Sequence, residues 1–252
     1  MRNIWFDSLD AIKRYVRFEP GEWKGFAITI FVLAFIVSFN DWGAEKADLA
    51  VGGINFLGAV IIVALSLFGR TWIQKIVGAV MGYRTEYKPT TSGLLFAVIL
   101  AFVTGGRFWF LIPGGIVMHF MAGQRLGWAK YMLSPFGLGV VSIFGPIGNI
   151  IMAMFFRVLH AFTQIDLFYT AFILNLIWAL WTLTPIPPAD GSRMFFGSRM
   201  AYMWCIGLVV ASAALLYSNI NIFLSILLSF IFAWVWWLIY YLVWERYIFK
   251  GY

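Results

Sequence analysis

About six stretches of this 252-residue chain are apolar enough and long enough to cross a bilayer as helices, and that fixes the solvent in which it folds. They run at about 26–40, 48–69, 135–159, 166–183, 201–217 and 221–244. Roughly 20 apolar residues in helix cover ~30 Å of hydrocarbon. With 62% hydrophobic and only 12% charged residues, no soluble domain stands apart from these spans. The fold class expected is an all-α polytopic membrane protein. Three parts are read along it: a cytoplasmic or interfacial amphipathic helix over 1–25, a membrane core over 26–200, and C-terminal transmembrane helices with a short basic tail over 201–252.

The N-terminus carries mixed charges before any long apolar run, so it is not a cleavable signal. Trp5, Leu9, Ile12 and Val16 recur at helical spacing, which predicts an amphipathic helix ending near Pro20. Residues 92–121 are apolar but interrupted by Gly105, Gly106, Arg107, Pro113, Gly114 and Gly115. That pattern predicts a broken, re-entrant or hairpin element, tolerable in a membrane only where protein buries its backbone.

Cations are dense before the first span (Arg2, Lys13, Arg14, Arg17, Lys24) and after the second (Arg70, Lys75, Arg84, Lys88), with only Lys46 between. The bias places the N-terminus in the cytoplasm of a cell-membrane protein. Arg193, Arg199, Arg246 and Lys250 follow on the same side, provided 92–121 enters and returns there. The net charge of +7 therefore reads as topology and headgroup contact, not as nucleic-acid binding. Cys205 is the single cysteine, which excludes an internal disulfide and a thiol cluster; packing is its expected role.

Behind the apolar run "LFYTAFILNLIWALW" comes "TLTPIPPADG". Prolines stop a helix and remove amide donors, so an extended loop is expected to carry Asp190 below the membrane surface. "TPIPPADG" resembles the Asn-x-x-Pro-x-Pro-Pro-x-Asp-Gly signature of the site-2 protease family, intramembrane zinc metalloproteases: Pro185, Pro187, Pro188, Asp190 and Gly191 match, and Thr182 replaces asparagine. "FGPIGNIIMA" resembles that family's Gly-Pro-x-x-Asn-x-x-x-Ala helix opening at Gly145, Pro146, Asn149 and Ala153. The likeness covers roughly 48–200 and implies a site-2-protease-like core.

The resemblance also implies His-Glu-x-x-His at the end of the second span, where the sequence reads "RTWIQKIVGAVMG". Gly78 and Gly82 fall on the small positions that follow this signature, which sets Arg70 and Gln74 where histidines should be and Thr71 where the glutamate should be. Two histidines four apart would offer one zinc their ring nitrogens, and the glutamate would take a proton from metal-bound water. Arginine cannot ligate zinc and threonine is no base at neutral pH. A second register uses "HFMAGQRLG", with His119 first, Phe120 for glutamate and Gly123 for the second histidine. In both registers the glutamate is missing.

His119 and His160 are the only histidines. A site joining both to Asp190 is conceivable, but it lacks a base. The plainer expectation is His119 hydrogen-bonded within the re-entrant segment and His160 at a helix end. Arg70 has two readings: a cation snorkelling from the end of its span, which is the ordinary one, or a salt bridge to Asp190 across the former metal cleft. "FGLGVVSIFGPIG" lacks the ending of a phosphate loop, and Ser192 has no histidine or lysine nearby to activate it. Trp234, Trp236, Trp237 and Trp244 in the last span serve lipid and core packing, or a partner face.

The expectation is an inactive homologue of the site-2 protease fold with no cofactor, a binding, assembly or structural subunit whose partners are lipids and integral membrane proteins, in a larger complex or alone. Two rivals stand beside it: an active zinc metalloprotease with displaced ligands, and a solute or ion transporter using the re-entrant segment and Arg70.

Overall fold

The computed structural model describes residues 12–42, 48–120, 134–218 and 220–248. Among them five helices are long and apolar enough to cross a membrane. These are α1 (Pro20–Val37), α2 (Leu49–Val80), α4 (Pro135–Thr163), α7 (Arg199–Tyr217) and the run Ile222–Glu245, in which α8 (Ile222–Tyr240) passes into a π-helical turn (Tyr241–Glu245). Two shorter apolar helices, α3 (Thr91–Thr104) and α5 (Asp166–Thr182), accompany them, with the short α6 (Asp190–Gly197) before α7. The protein is an all-α polytopic membrane protein with one small sheet. The fourth expected span is α5, which at 17 residues is only about 25 Å long.

Pro20 opens a helix where an end was expected. It occupies the first turn of α1, where its missing N–H costs nothing, and Glu22 closes a capping box with Glu19. Ile12 to Tyr15 are helical, while Trp5 and Leu9 lie outside the described residues.

Helix α2 is capped by Asp48 and runs for 32 residues, about 48 Å. The second span was expected to end at Arg70, yet α2 continues ten residues beyond it with Arg70, Thr71, Gln74 and Lys75 all buried. Polar side chains continue an apolar helix inward when partners await them. Gly82 then adopts φ 83°, a conformation that favours glycine, and turns the chain into β1 (Tyr83–Pro89).

Strand β1 pairs antiparallel with β2 (Gly114–Phe120), Tyr83 facing Phe120 and Pro89 facing Gly114. The interrupted stretch 92–121 thus resolves into α3, an irregular return over 107–113, and a strand that was not expected. Gly105 and Gly106 (φ 60° and 73°) reverse the chain, and Gly106 packs against Phe39 and Asn40 beyond the end of α1. At the other end Gly25 of α1 meets Pro89, just before α3, so α3 runs alongside a spanning helix. The core forms where α1, α2, α4 and α5 meet, with Leu33, Ile62, Leu67, Phe156 and Trp178 fully buried.

Candidate functional site

Asp190 begins α6; the residues before it form a succession of turns, not the extended loop expected. Those turns are packed tightly, since a Cβ on Gly191 would run into the carbonyls of Leu183 and Thr184, and Tyr202 Oη donates to the Leu183 carbonyl at 2.8 Å. Asp190 is carried into the interior at 1% exposure.

There it meets α2. Arg70 Nη2 lies 2.5 Å from Asp190 Oδ2, and Gln74 Nε2 donates to the same oxygen at 3.1 Å. Residues 70 and 74 share a helical face, so one carboxylate oxygen receives both. Arg70 does not snorkel. It is 4% exposed, and its guanidinium sits 5.4 Å from the Trp178 ring centroid. Thr71 is buried beside it. From α6 itself, Arg193 Nη1 approaches Asp190 Oδ1 at 3.6 Å, too far for a hydrogen bond.

Helix α4 closes the cleft with small residues. A Cβ on Gly145 would collide with Asp190 Oδ2 and lie 2.7 Å from Gln74 Nε2, and one on Gly148 would lie 3.2 Å from Arg70 Cα. Gly145 and Pro146 are thus where two other elements bring their polar groups against a helix. Asn149, one turn on, is fully buried with neither side-chain polar atom bonded; Ser142 Oγ, Arg70 Nε and Asp190 Oδ1 are unbonded too. Thr182 Oγ1 bonds back to the Ala179 carbonyl.

Gly78 faces Thr85 of β1, so the small position set by the sequence register is where the strand packs. Pro187 and Pro188 shape the turn against β2, where a Cβ on Gly115 would lie 2.7 Å from the Pro188 carbonyl. The structure therefore unites Arg70, Gln74, Gly145 and Asp190, with Thr71 buried next to Arg70 in the chain. It does not bring in the histidines. His119 sits on β2, half-exposed, with Nε2 3.7 Å from Glu86. It is about 13 Å along the strand from Gly115, which touches the proline turns. Gly123 of that second register lies outside the described residues. His160 ends α4, its Nδ1 3.1 Å from the Ile165 carbonyl. Ser192 Oγ bonds the Ala189 carbonyl.

Sequence reasoning missed a neighbouring buried pair, Lys75 with Glu22 of α1. It also missed β1, although Tyr83, Thr85 and Tyr87 alternate inward against Arg84, Glu86 and Lys88. That period of two was the available signal.

The donor set does not fit zinc. Arg70, Thr71 and Gln74 offer a guanidinium, a hydroxyl and an amide, and the carboxylate of Asp190 is engaged by the guanidinium and the amide. Among the described residues no three His, Cys, Asp or Glu side chains come together.

A Methanocaldococcus jannaschii protein named "Putative zinc metalloprotease MJ0611" is 25% identical to this chain over 195 residues, covering 75% of this chain and 90% of that protein. A Bacillus subtilis protein named "Putative zinc metalloprotease YwhC" is 36% identical over 106 residues, 33% of this chain and 48% of that one. No family model matches the chain, and no solved structure matches it.

Proposed function

We propose that this chain, similar to two proteins named as putative zinc metalloproteases but without His-Glu-x-x-His, is a catalytically inactive member of the site-2 protease family that binds, or assembles with, another integral membrane protein. The observation that carries this reading is the Arg70–Asp190 pair. A fixed cation stands where a metal would need lone pairs, and it neutralises the carboxylate that would otherwise demand one. Zinc-dependent hydrolysis requires a metal-bound water and a base to take its proton. Thr71 offers no such base. A fold built to admit a membrane segment retains that capacity without the chemistry.

The test is the zinc content of detergent-purified, chelator-washed protein by elemental mass spectrometry, with Asp190→Ala alongside. Near-zero zinc in both is expected. About one zinc per chain in the native protein, lost in the variant, overturns the proposal. That outcome would favour the second reading, a metalloprotease with displaced ligands, whose support is the names of the two relatives.

A further inference from the structure

A crevice of about 630 Å³ lies between the return segment after α3 and the face of α5. Its walls include Phe108, Trp109, Ile177, Leu180 and Trp181, and Arg107 stands at its edge. Trp181 Nε1 donates to the Trp109 backbone carbonyl at 2.8 Å, which fixes the Trp181 indole against the return segment. Phe108 and Leu180 are 47% and 41% exposed, so the crevice is open on one side.

Two features call for a polar, acidic group at one end of an otherwise apolar space. Arg107 is exposed and has no carboxylate partner among the described residues. The backbone N–H of Trp109, one of the lining residues, has no acceptor among them either. An apolar body as long as two turns of α5 and an anionic end together describe one ligand class.

We propose that this crevice is a binding site for an anionic phospholipid, its phosphate on Arg107 and the Trp109 amide and an acyl chain along Ile177, Leu180 and Trp181. Lipid-facing arginines commonly snorkel toward bulk headgroups without selecting one. The difference is selectivity, which is measurable.

The full chain in detergent is offered equal amounts of phosphatidylglycerol and phosphatidylcholine with matched acyl chains, and bound lipid is read by native mass spectrometry. Phosphatidylglycerol is expected to be retained roughly fivefold over phosphatidylcholine, the effect of one well-placed cation near an anionic headgroup. Arg107→Gln should equalise the two lipids, Arg107→Lys should keep the preference, and Arg246→Gln, at the far end of the chain, should leave it unchanged. Leu180→Trp, which narrows the crevice, should lower retention of both. Equal retention by the native chain overturns the proposal, as does a preference that survives Arg107→Gln or retention undiminished in Leu180→Trp. Displacement of the lipid by free glycerol 3-phosphate would assign the site to a soluble phosphate and also overturn it. Each variant is compared at equal monodispersity on size exclusion, so misfolding is recognised separately.

Discussion

Lys75 and Glu22 form a second buried ion pair, Nζ 2.9 Å from Oε1, one residue along α2 from Gln74. Unlike the Arg70–Asp190 pair, it is saturated. Lys75 also donates to the Thr85 carbonyl at 2.6 Å and the Arg17 carbonyl at 3.1 Å, while Glu22 accepts from the amides of Tyr87 and Glu19 at 2.6 and 2.7 Å. One residue apart, α2 thus carries a closed strut holding α1 and β1, and an open cluster in which Arg70 Nε, Asp190 Oδ1 and Asn149 lack partners.

The strut predicts a large loss when half of it is removed. Lys75→Met leaves Glu22 charged and buried and should cost about 3–5 kcal/mol. Glu22→Gln keeps hydrogen-bond acceptance and should cost less. Thermal unfolding in detergent, followed by tryptophan fluorescence, checks the order; equal small losses would refute the structural role.

The Arg70–Asp190 pair predicts coupling. Either Arg70→Met or Asp190→Leu alone strands a buried charge, again at about 3–5 kcal/mol, whereas the double variant removes both and should fall well short of the sum. Additive losses would mean that the two side chains do not depend on one another. Asp190→Asn, which still accepts from Arg70 and Gln74, should be milder than Asp190→Leu.

The membrane spans were legible because a bilayer imposes a length that apolar runs must meet, and α2, α4, α7 and α8 fall close to where those runs lie. The register that put Arg70, Thr71 and Gln74 together was legible through Gly78, since small residues mark close approach. Pairing at a distance was legible only in part: the Arg70–Asp190 pair, 120 residues apart, was one of two readings of Arg70, reached through the motif register, while Glu22 and Lys75, 53 apart, had no such guide. Charges near the ends of apolar runs read most simply as topology markers, which made snorkelling the ordinary reading of Arg70 and left Lys75 counted only among the cations after the second span. The same reading hid β1, whose Arg84 and Lys88 counted as loop cations although every second residue between them is apolar or hydroxylated and turned inward.

Tyr87 of β1 predicts a pH dependence. Burial pushes its phenol up to about 12, against a smaller opposing effect of the Thr29 hydroxyl 3.0 Å away. The folded protein therefore keeps this proton where the unfolded chain, titrating near 10, has lost it. Stability from this group is unaffected below about pH 10 and declines as pH rises from there toward 12. Tyr87→Phe should remove that part of the alkaline decline, at a fixed cost of about 1 kcal/mol for the lost hydrogen bond. Stability measured from pH 8 upward in both proteins checks it; parallel curves would refute it.

Gly145 predicts a steric test of the cleft itself. A methyl group there would strike Asp190 Oδ2 and crowd Gln74 Nε2, both held by bonds they cannot leave without stranding Arg70. Gly145→Ala should therefore destabilise by about 1–3 kcal/mol, the usual cost of overpacking, despite alanine's better helix propensity. Gly53 on α2 supplies the contrast, since a Cβ there meets nothing within 4 Å, and Gly53→Ala should stabilise by about 0.5–1 kcal/mol. The sign difference isolates packing from propensity. If Gly145→Ala also stabilised, Asp190 would have to sit farther from α4, and the cleft would have room for a ligand between the carboxylate and Arg70.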